Sequence, residues 1–257
     1  VRFALLLSQR SFGAFDPTLG PLIDIWGFST KGTVLEPPNE TAIAVARATT
    51  GARHLRVTTG GQIQKTIPDL QLNLGGLAKG FAVDAVACLL GERQCTNTLV
   101  RIGGEIVACG RNAEGEPWRI GIASPRTEAT EQDYVAVMHL SGRATSTSGN
   151  YRQFFIDEQG RRFGHILDPR TGSPVRRNLA SVTVVADDGL TADGLATSLF
   201  VMGPEQGLPW IEHWTNAAAL FVVEREDGLL QFRASARFPS YSRLEAATER
   251  PAEGPPR

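Results

Sequence analysis

The stretch ASVTVVADDGLTADGLATSLFVMG, residues 180–203, joins two hydrophobic patterns of different period. Its first seven residues are mostly β-branched and end at a pair of aspartates, which predicts a buried strand. From residue 191 onward, apolar residues recur three and four positions apart and the pattern ends at Gly203, as in a helix. One strand followed by one helix is therefore the unit from which we predict the fold.

The same two patterns recur on both sides of this unit. We predict helices in TAIAVARATTG, ending at Gly51, and in LAKGFAVDAVACLLG, ending at Gly91. Short runs bounded by turn residues predict further strands in HLRVTT, TLVRIGG, EIVACG, WRIGIAS, YVAVMHL, YRQFFID and AALFVVE. DEQGRR and EREDGLL are typical of hairpin connections. Strands interrupted by single helices predict an α+β fold with mixed or antiparallel sheets and a few packed helices.

The two ends of the chain have different character. The apolar run Phe3 to Leu7 is shorter than the roughly 7–15 residues of a secretory core, so VRFALLLSQR predicts the end of a packed helix. No stretch approaches the roughly 18 apolar residues of a spanning helix. From residue 239 the sequence is rich in Pro, Glu and Arg, so we predict a disordered tail over 239–257. For residues 1–238 we predict one domain, or two closely fused lobes.

Composition excludes some functions. The 257 residues carry 26 basic and 27 acidic side chains, so no global field favours nucleic acid or an anionic membrane. Cys88, Cys95 and Cys109 are odd in number and lack CxxC spacing, which argues against a disulfide framework or a zinc site. We interpret them as small core residues, and the redox compartment stays open.

The first candidate site is LNLGGLAKGFAVD, in which a Gly75–Gly76 turn leads into a helix that carries Lys79. Free backbone N–H groups at a helix start suit a pyrophosphate. The sequence matches neither GxxxxGK[ST] nor GxGxxG, so neither nucleotide motif applies. In isolation, an ordinary turn with a solvated lysine is the commoner explanation.

The second candidate is TADGLATS, which places Asp193 and Thr197 four residues apart on one helix face. Leu195 and Leu199 lie on the opposite face and are expected in the core. A carboxylate and a hydroxyl suit Mg²⁺, which needs few protein ligands when phosphates supply the rest. The competing interpretation is a solvated polar face.

The third candidate is HILDPRTG, where His165 precedes an Asp168–Pro169 turn that ends at Gly172. An imidazole titrates near neutrality and can act as a general base, although a lone histidine is more often structural. GAFDPTLGPLIDIWGF and ATSTSGNYRQFF are read as loops. Three charges, Asp84, Glu105 and Arg170, are read as surface charges.

Taken in order, GAFDPTLGPLIDIWGF, LGGLAKGFAVD, RIGGEI, STSGNY, HILDPRTG and TADGLATSLFVMG resemble the ApbE family of FAD:protein FMN transferases. The resemblance covers Phe12 to Gly203, and HILDPRTG with TADGLATS is its most discriminating pair. It implies an ApbE-like α+β architecture related to the T-fold.

The resemblance also implies a reaction and a site. Mg²⁺ would assist transfer of the FMN half of FAD to a threonine hydroxyl of a flavoprotein subunit, with release of AMP. The implied metal ligands are the Gly76 carbonyl, Asp193 and Thr197, and His165 is the implied general base or phosphate-positioning residue. The implied FAD contacts are Ala14, Phe15, Asp16, Asn73, Lys79 and the backbone near Ile166.

The chain departs from the family pattern at Asn73, where Asp is commoner, and at Glu105, where Asp or Asn is usual. The resemblance further implies a region ahead of Val1 that lines the flavin side of the cleft, which we expect this chain to lack. Many relatives work at the outer face of the bacterial inner membrane, which leaves the compartment of this chain open.

Two other functions are compatible with the same residues. A Mg²⁺-dependent FAD pyrophosphatase would give water the role of acceptor, and a flavin carrier would hold FAD intact.

Overall fold

The computed structural model describes residues 1–29, 36–126, 129–130, 132–151 and 153–244. The chain divides into two compact units. Unit 1 comprises residues 1–76 and 152–176, and unit 2 comprises 77–151 and 177–257, each as far as it is described.

The α-helices and strands are numbered here in chain order. The helices are α1 (Arg2–Arg10), α2 (Gly20–Ile25), α3 (Glu40–Ala48), α4 (Gly75–Glu92), α5 (Gly189–Met202) and α6 (Pro204–Ile211), with a 3₁₀ turn at Ala52–His54. The strands of unit 1 are β1 (Leu55–Val57), β2 (Ile63–Lys65), β8 (Phe154–Ile156), β9 (Arg162–Gly164), β10 (Leu167–Asp168) and β11 (Ser173–Pro174). Those of unit 2 are β3 (Thr98–Ile102), β4 (Glu105–Cys109), β5 (Trp118–Ala123), β6 (Tyr134–Leu140), β7 (Arg143–Gly149), β12 (Leu179–Ala186), β13 (Ala217–Glu224), β14 (Leu230–Ala234) and β15 (Tyr241–Arg243).

Unit 1 folds around an aromatic core between α2 and the β8–β9 hairpin. The rings of Phe155 and Phe163 stack at 5.0 Å, and the ring of Trp26 lies 5.5 Å from that of Phe163. The indole N–H of Trp26 donates to the carbonyl of Gly172 at 2.8 Å. The core of unit 1 therefore fixes the turn that follows HILDP.

Unit 2 is built on a six-stranded antiparallel sheet in the order β14-β13-β12-β7-β4-β3, and on a three-stranded sheet in the order β15-β6-β5. Neighbouring residues of β13 point to opposite faces of the larger sheet. Leu220 belongs to the core shared with the smaller sheet. Phe221 instead lies beside Leu199 of α5 and Gly207 of α6. The larger sheet is thus packed between helices on one face and a second sheet on the other.

Helix α5 is the most deeply buried helix of this arrangement. All of its fourteen residues except Leu190 and Thr197 are buried. A helix that is apolar all round is expected in the interior, and α5 packs against β7 and β12. The polar Asp193 is therefore enclosed by one of the most apolar elements of unit 2.

The fold class predicted from the sequence, α+β, is confirmed, as are the predicted helices and strands, except that α3 ends at Ala48 and not at Gly51. The end of α5 is also confirmed, because Gly203 adopts a φ of 75°. Both hairpin connections are present, with Gly160 and Gly228 in the left-handed region.

Two segments that we read as loops contain regular structure. STSG lies in β7, where the hydroxyl groups of Thr147 and Thr183 are 2.9 Å apart across the strand pair and Ser146 donates to a buried carboxylate. Side-chain bonds between strands thus satisfy hydroxyls that would otherwise favour a loop. GAFDPTLGPLIDIWGF contains α2, which starts with Gly20 and Pro21, and Pro is compatible with the first turn of a helix.

Two smaller expectations were wrong. Helix α4 continues through Gly91 to Glu92, and the left-handed residue after it is Gln94, with φ 62°. Of the cysteines, Cys88 and Cys95 are exposed and Cys109 is half-buried, so none is a core residue. The apolar residues of α4 do not gather on one side of the helix, so its pattern does not indicate that the face carrying Cys88 is exposed.

The predicted tail begins too early. Tyr241–Arg243 form β15, which pairs with β6, and Tyr241 packs on Phe232 and Phe238. Residues 245–257 lie outside the described residues, and for them the disordered tail stays a prediction. In the described chain no helix combines the length and the apolar character needed to cross a bilayer.

Two glycines of α4 make a matched pair for testing helix packing. A Cβ added at Gly80 would lie 2.8 Å from Cβ of Asp193 and closer still to the carbonyl oxygen of Gly189. A Cβ added at Gly91 would meet nothing within 4 Å. We expect Gly80→Ala to lower the free energy of unfolding by about 3 kcal/mol through overpacking. Gly91→Ala should raise it by about 0.5 kcal/mol through helix propensity.

Urea unfolding of both variants measures the two changes. Equal stability of Gly80→Ala and the unmodified chain would contradict the close approach of α4 and α5.

Candidate functional site

Helices α4 and α5 of unit 2 meet where both lack side chains. A Cβ at Gly189 would lie 2.7 Å from the carbonyl oxygen of Gly80 and 2.7 Å from the side chain of Val83. A Cβ at Gly80 would likewise collide with the backbone of Gly189, so the two helix backbones are in direct contact. Residues next to Gly80 are therefore close to the first turns of α5.

Two aspartates satisfy the first N–H groups of α5. The carboxylate of Asp84 accepts the N–H of Gly189 at 2.6 Å and that of Leu190 at 2.8 Å. Asp188 is the N-cap and accepts the N–H of Thr191 at 2.7 Å. Burial raises the pKa of Asp84, and the charge of Asp188 adds to this, while the two backbone bonds act in the opposite direction. Asp84 thus joins α4 to α5, and our reading of it as a surface charge was wrong.

Asp193 lies one turn further along α5 and is buried. Its Oδ2 accepts the N–H of Gly80 at 3.0 Å. Its Oδ1 lies 3.8 Å from Nζ of Lys79. A carboxylate on α5 is therefore held by the backbone of α4, and the interpretation of a solvated polar face is wrong for Asp193.

Lys79 has a second and closer carboxylate. Its Nζ lies 3.2 Å from Oε1 of Glu105, whose side chain is only 3% exposed, whereas that of Lys79 is 48% exposed. The Ser146 hydroxyl donates to Oε1 at 3.1 Å, and the N–H of Gly104 donates to Oε2 at 3.2 Å. Glu105 is thus a buried partner of Lys79, which corrects its interpretation as a surface charge.

The charges of this cluster do not balance. Two buried carboxylates, Glu105 and Asp193, share the single ammonium of Lys79. Burial raises the pKa of Asp193 from 3.8 to about 6, Lys79 opposes this rise and Glu105 adds to it. The carboxylate therefore lacks compensating positive charge, which is the environment that a dication would relieve.

Thr197 follows Asp193 by one helical turn and is one of the two residues of α5 that are not fully buried. Among the residues that the structure describes, no group of three or more His, Cys, Asp and Glu is arranged to hold a metal ion. The donor set here, one undercompensated carboxylate and a nearby hydroxyl, fits Mg²⁺ only if water or a substrate supplies most of the ligands.

In unit 1, Asp16 lies at the centre of a hydrogen-bonded turn. Its Oδ1 accepts the N–H of Thr18 at 2.8 Å and the hydroxyl of Thr18 at 2.5 Å. Its Oδ2 accepts the N–H of Ala52 at 2.9 Å. The carboxylate thus connects the FDPT turn to the 3₁₀ turn, which gives Asp16 a structural role that the sequence did not predict.

The neighbours of Asp16 are placed by the same turn. Ala14 and Phe15 are buried, and the N–H of Phe15 is bonded to the hydroxyl of Ser11 at 3.0 Å. Asn73 joins this region because its N–H donates to the carbonyl of Pro17 at 2.8 Å. Unit 1 therefore brings together three of the predicted FAD contacts with Asn73.

Asn73 also prepares the start of α4. Its Oδ1 accepts the N–H of Gly75 at 2.9 Å, as a capping side chain does. In a regular helix the carbonyl of Gly76 would accept the N–H of Gly80, which here donates to Asp193. That the Gly76 carbonyl is a metal ligand stays a prediction.

A backbone carbonyl contacts His165 at two atoms. The carbonyl of Gln153 lies 3.1 Å from the backbone nitrogen of His165 and 3.2 Å from its Nδ1. Because a carbonyl can only accept, this contact favours the neutral tautomer with its proton on Nδ1 and its lone pair on Nε2. The ring meets Phe28 edge to face at 6.4 Å. The carbonyl of the next residue, Ile166, accepts the N–H of Val175 at 2.9 Å.

Unit 1 also contains an open cavity of about 460 Å³. Gly13 and Asp16 line it together with Arg47, Arg53 and Arg170. Arg170 pairs with Asp168 at 2.7 Å and remains exposed, as predicted for a surface charge.

Comparison with known proteins places this arrangement in a family. The model of the ApbE family matches residues 1–221. The chain belongs to the ApbE family. Two curated relatives named FAD:protein FMN transferase are those of Klebsiella pneumoniae, 38% identical over 88% of this chain and 65% of the relative, and of Vibrio cholerae, 37% identical over 95% and 71%. The chain thus spans about two thirds of the length of these ApbE relatives.

Solved structures of the family agree with the fold. The flavin transferase ApbE from Vibrio cholerae matches with a TM-score of 0.81 at 37% identity, over 91% of this chain and 73% of that one. The apo flavinyl transferase ApbE of Pseudomonas stutzeri matches with a TM-score of 0.77 at 40% identity, over 91% and 70%. The ApbE-like architecture predicted from the motifs is therefore confirmed.

The raised pKa of Asp193 has a consequence for stability. A carboxyl group whose pKa is higher in the folded than in the unfolded state destabilises the fold once it ionises, so its cost appears as pH rises from about 4 through about 6. Without added metal, we expect Asp193→Asn to be more stable than the unmodified chain at pH 7, by about 1–3 kcal/mol. The difference should vanish near pH 4.

Melting curves at both pH values measure this difference, and the exposed Asp69→Asn is the control that should show no pH-dependent gain. A loss of stability in Asp193→Asn at pH 7 would show that the carboxylate is fully compensated.

Proposed function

We propose that this chain transfers the FMN half of FAD to a threonine hydroxyl of an acceptor flavoprotein subunit, in a Mg²⁺-dependent reaction that releases AMP. The names of the ApbE relatives support the transfer itself. The observation that supports the Mg²⁺ dependence is the buried Asp193 beside Lys79, because a carboxylate short of positive charge next to a half-exposed ammonium suits a metal-bound pyrophosphate.

The reaction requires one bond exchange at phosphorus. The threonine oxygen forms a bond to the phosphorus of the FMN phosphate, the bond from that phosphorus to the AMP oxygen breaks, and the hydroxyl proton passes to a base. Such transfers depend mainly on positioning and on neutralising charge. Asp193, Thr197 and the Gly76 carbonyl would hold Mg²⁺, which supplies charge neutralisation at the pyrophosphate when it is bound.

Residues of this chain perform the remaining steps. The ammonium of Lys79, half exposed at the surface of unit 2, would contact phosphate oxygens. The proposed FAD contacts also include Ala14, Phe15, Asp16 and the backbone near Ile166, and Asn73 would hold the start of α4. His165, with a proton on Nδ1, would take the threonine proton on Nε2.

Product analysis tests the proposal. With FAD, Mg²⁺ and an acceptor subunit, we expect equal amounts of AMP and of FMN covalently bound to the acceptor threonine. Asp193→Asn removes the ligand charge, so transfer should collapse while folding survives. Thr197→Val deletes a neutral ligand and should give a milder defect that excess Mg²⁺ partly restores.

The control is an acceptor with its threonine replaced by alanine. AMP with free FMN would instead identify a pyrophosphatase, and intact FAD a flavin carrier. Unchanged activity and Mg²⁺ dependence in Asp193→Asn would refute the metal assignment.

The proposed base is tested separately. We expect His165→Asn to lower the rate of transfer about 10²–10⁴-fold, the contribution typical of general base catalysis, with FAD affinity within a few-fold. Asn is chosen because its amide can still donate to the Gln153 carbonyl. Single-turnover transfer and FAD titration give the two quantities.

A melting curve distinguishes a catalytic from a structural role. Wild-type turnover would remove His165 from the mechanism, and a large loss of melting temperature would assign it to the fold.

A further inference from the structure

The position of Lys79 creates a competition that the proposed reaction must resolve. Its ammonium lies 3.8 Å from Oδ1 of Asp193. A dication bound by that carboxylate would be within a few ångströms of the ammonium, and two positive charges repel at this range. Lys79 must therefore leave Asp193 when the metal binds.

Glu105 offers the ammonium another partner. Its Oε1 is already the nearer oxygen, at 3.2 Å, against 3.8 Å for Asp193. Its carboxylate is fixed by two donors, the hydroxyl of Ser146 and the N–H of Gly104. The side chain can thus keep its position while Lys79 moves.

The turn between β3 and β4 makes room for this arrangement. Gly103 adopts a φ of 65°, and a Cβ there would lie 3.4 Å from both Cδ of Lys79 and Oε2 of Glu105. The lysine stem thus passes over a residue without a side chain, which allows the ammonium to move towards Glu105 without leaving the cluster.

We propose that Glu105 is a positioning residue that takes Lys79 over from Asp193 when the metal binds. In the metal-free chain the ammonium is shared by two carboxylates, and in the metal-bound chain it keeps Glu105 and gives up Asp193. Glu105 thereby sets the affinity for the metal without contacting it. This inference rests on the proposed function, because it takes Asp193 as a metal ligand.

The test uses Mn²⁺ alone as the probe, titrated without FAD and followed by electron paramagnetic resonance of the free ion. Lys79→Met removes the competing charge and should tighten Mn²⁺ binding. Glu105→Asp keeps the negative charge but moves it away from Lys79, so it should weaken Mn²⁺ binding about fivefold. A change of this size lies within the range of interaction free energies between residues in contact. In the Lys79→Met background, Glu105→Asp should change the affinity less than about twofold.

A second variant protects the test against misfolding. Ser146→Ala removes one donor to Glu105 and leaves every charge in place, so it should weaken Mn²⁺ binding in the same direction by a smaller factor. Melting curves establish that each variant is folded.

Several outcomes would overturn the inference. Unchanged affinity in Glu105→Asp, or an equal change with and without Lys79, would show that Glu105 does not act through Lys79. A chain that transfers FMN but binds no Mn²⁺ in the absence of FAD would also overturn it, since the exchange requires the metal to reach Asp193 first. If the Mn²⁺ affinities change as expected but no FMN is transferred, the proposed function is refuted and the inference about Glu105 and Lys79 is not.

Discussion

The backbone contact between Gly80 and Gly189 is the constraint on which the candidate site depends. Any side chain at either position would separate α4 from α5. Because the helices touch, Asp193 reaches the N–H of Gly80, and Asp84, one turn along α4, reaches the N–H groups of Gly189 and Leu190. Each helix thus supplies a carboxylate to backbone donors of the other, and Lys79 is brought to Asp193 as a consequence.

The burial of Asp193 lowers the stability of the fold when its carboxyl group is ionised. Asp193 is enclosed by a helix whose other residues are mostly apolar, and the raised pKa measures how poorly its charge is compensated. An amide would satisfy the same backbone donor without that penalty. Buried charge that lowers stability is characteristic of functional sites, since packing elsewhere supplies the stability that the site lacks. The sheet contacts of α5 fulfil that role here.

The sequence predicted those parts of the structure that depend on local pattern. The spacing of apolar residues in 180–203 predicted both β12 and α5, and Leu195 and Leu199 of α5 are buried as that spacing predicts. The sequence did not predict the local structure and burial that depend on a contact with a residue distant in the chain. The hydroxyl-rich STSG is a strand because Thr183 and Glu105 satisfy its side chains, and Glu105 is buried because Lys79 and Ser146 reach it from other elements. The role of Asp16 likewise depends on Ala52, which is 36 residues away. A single motif reports residue types, whereas these contacts depend on which strands and turns become neighbours.

The charge balance of the cluster also bears on how cation and pyrophosphate would cooperate. Glu105, Asp193 and Lys79 together carry one net negative charge, which a single dication would convert to one net positive charge. The cation would thus make the surface around Lys79 attractive to a pyrophosphate, and the pyrophosphate would supply the oxygen ligands that a site with one carboxylate lacks. Coupling of this kind is reciprocal, so each would raise the affinity for the other by the same factor. A sparse protein ligand set is then consistent with a metal that binds tightly only together with its substrate.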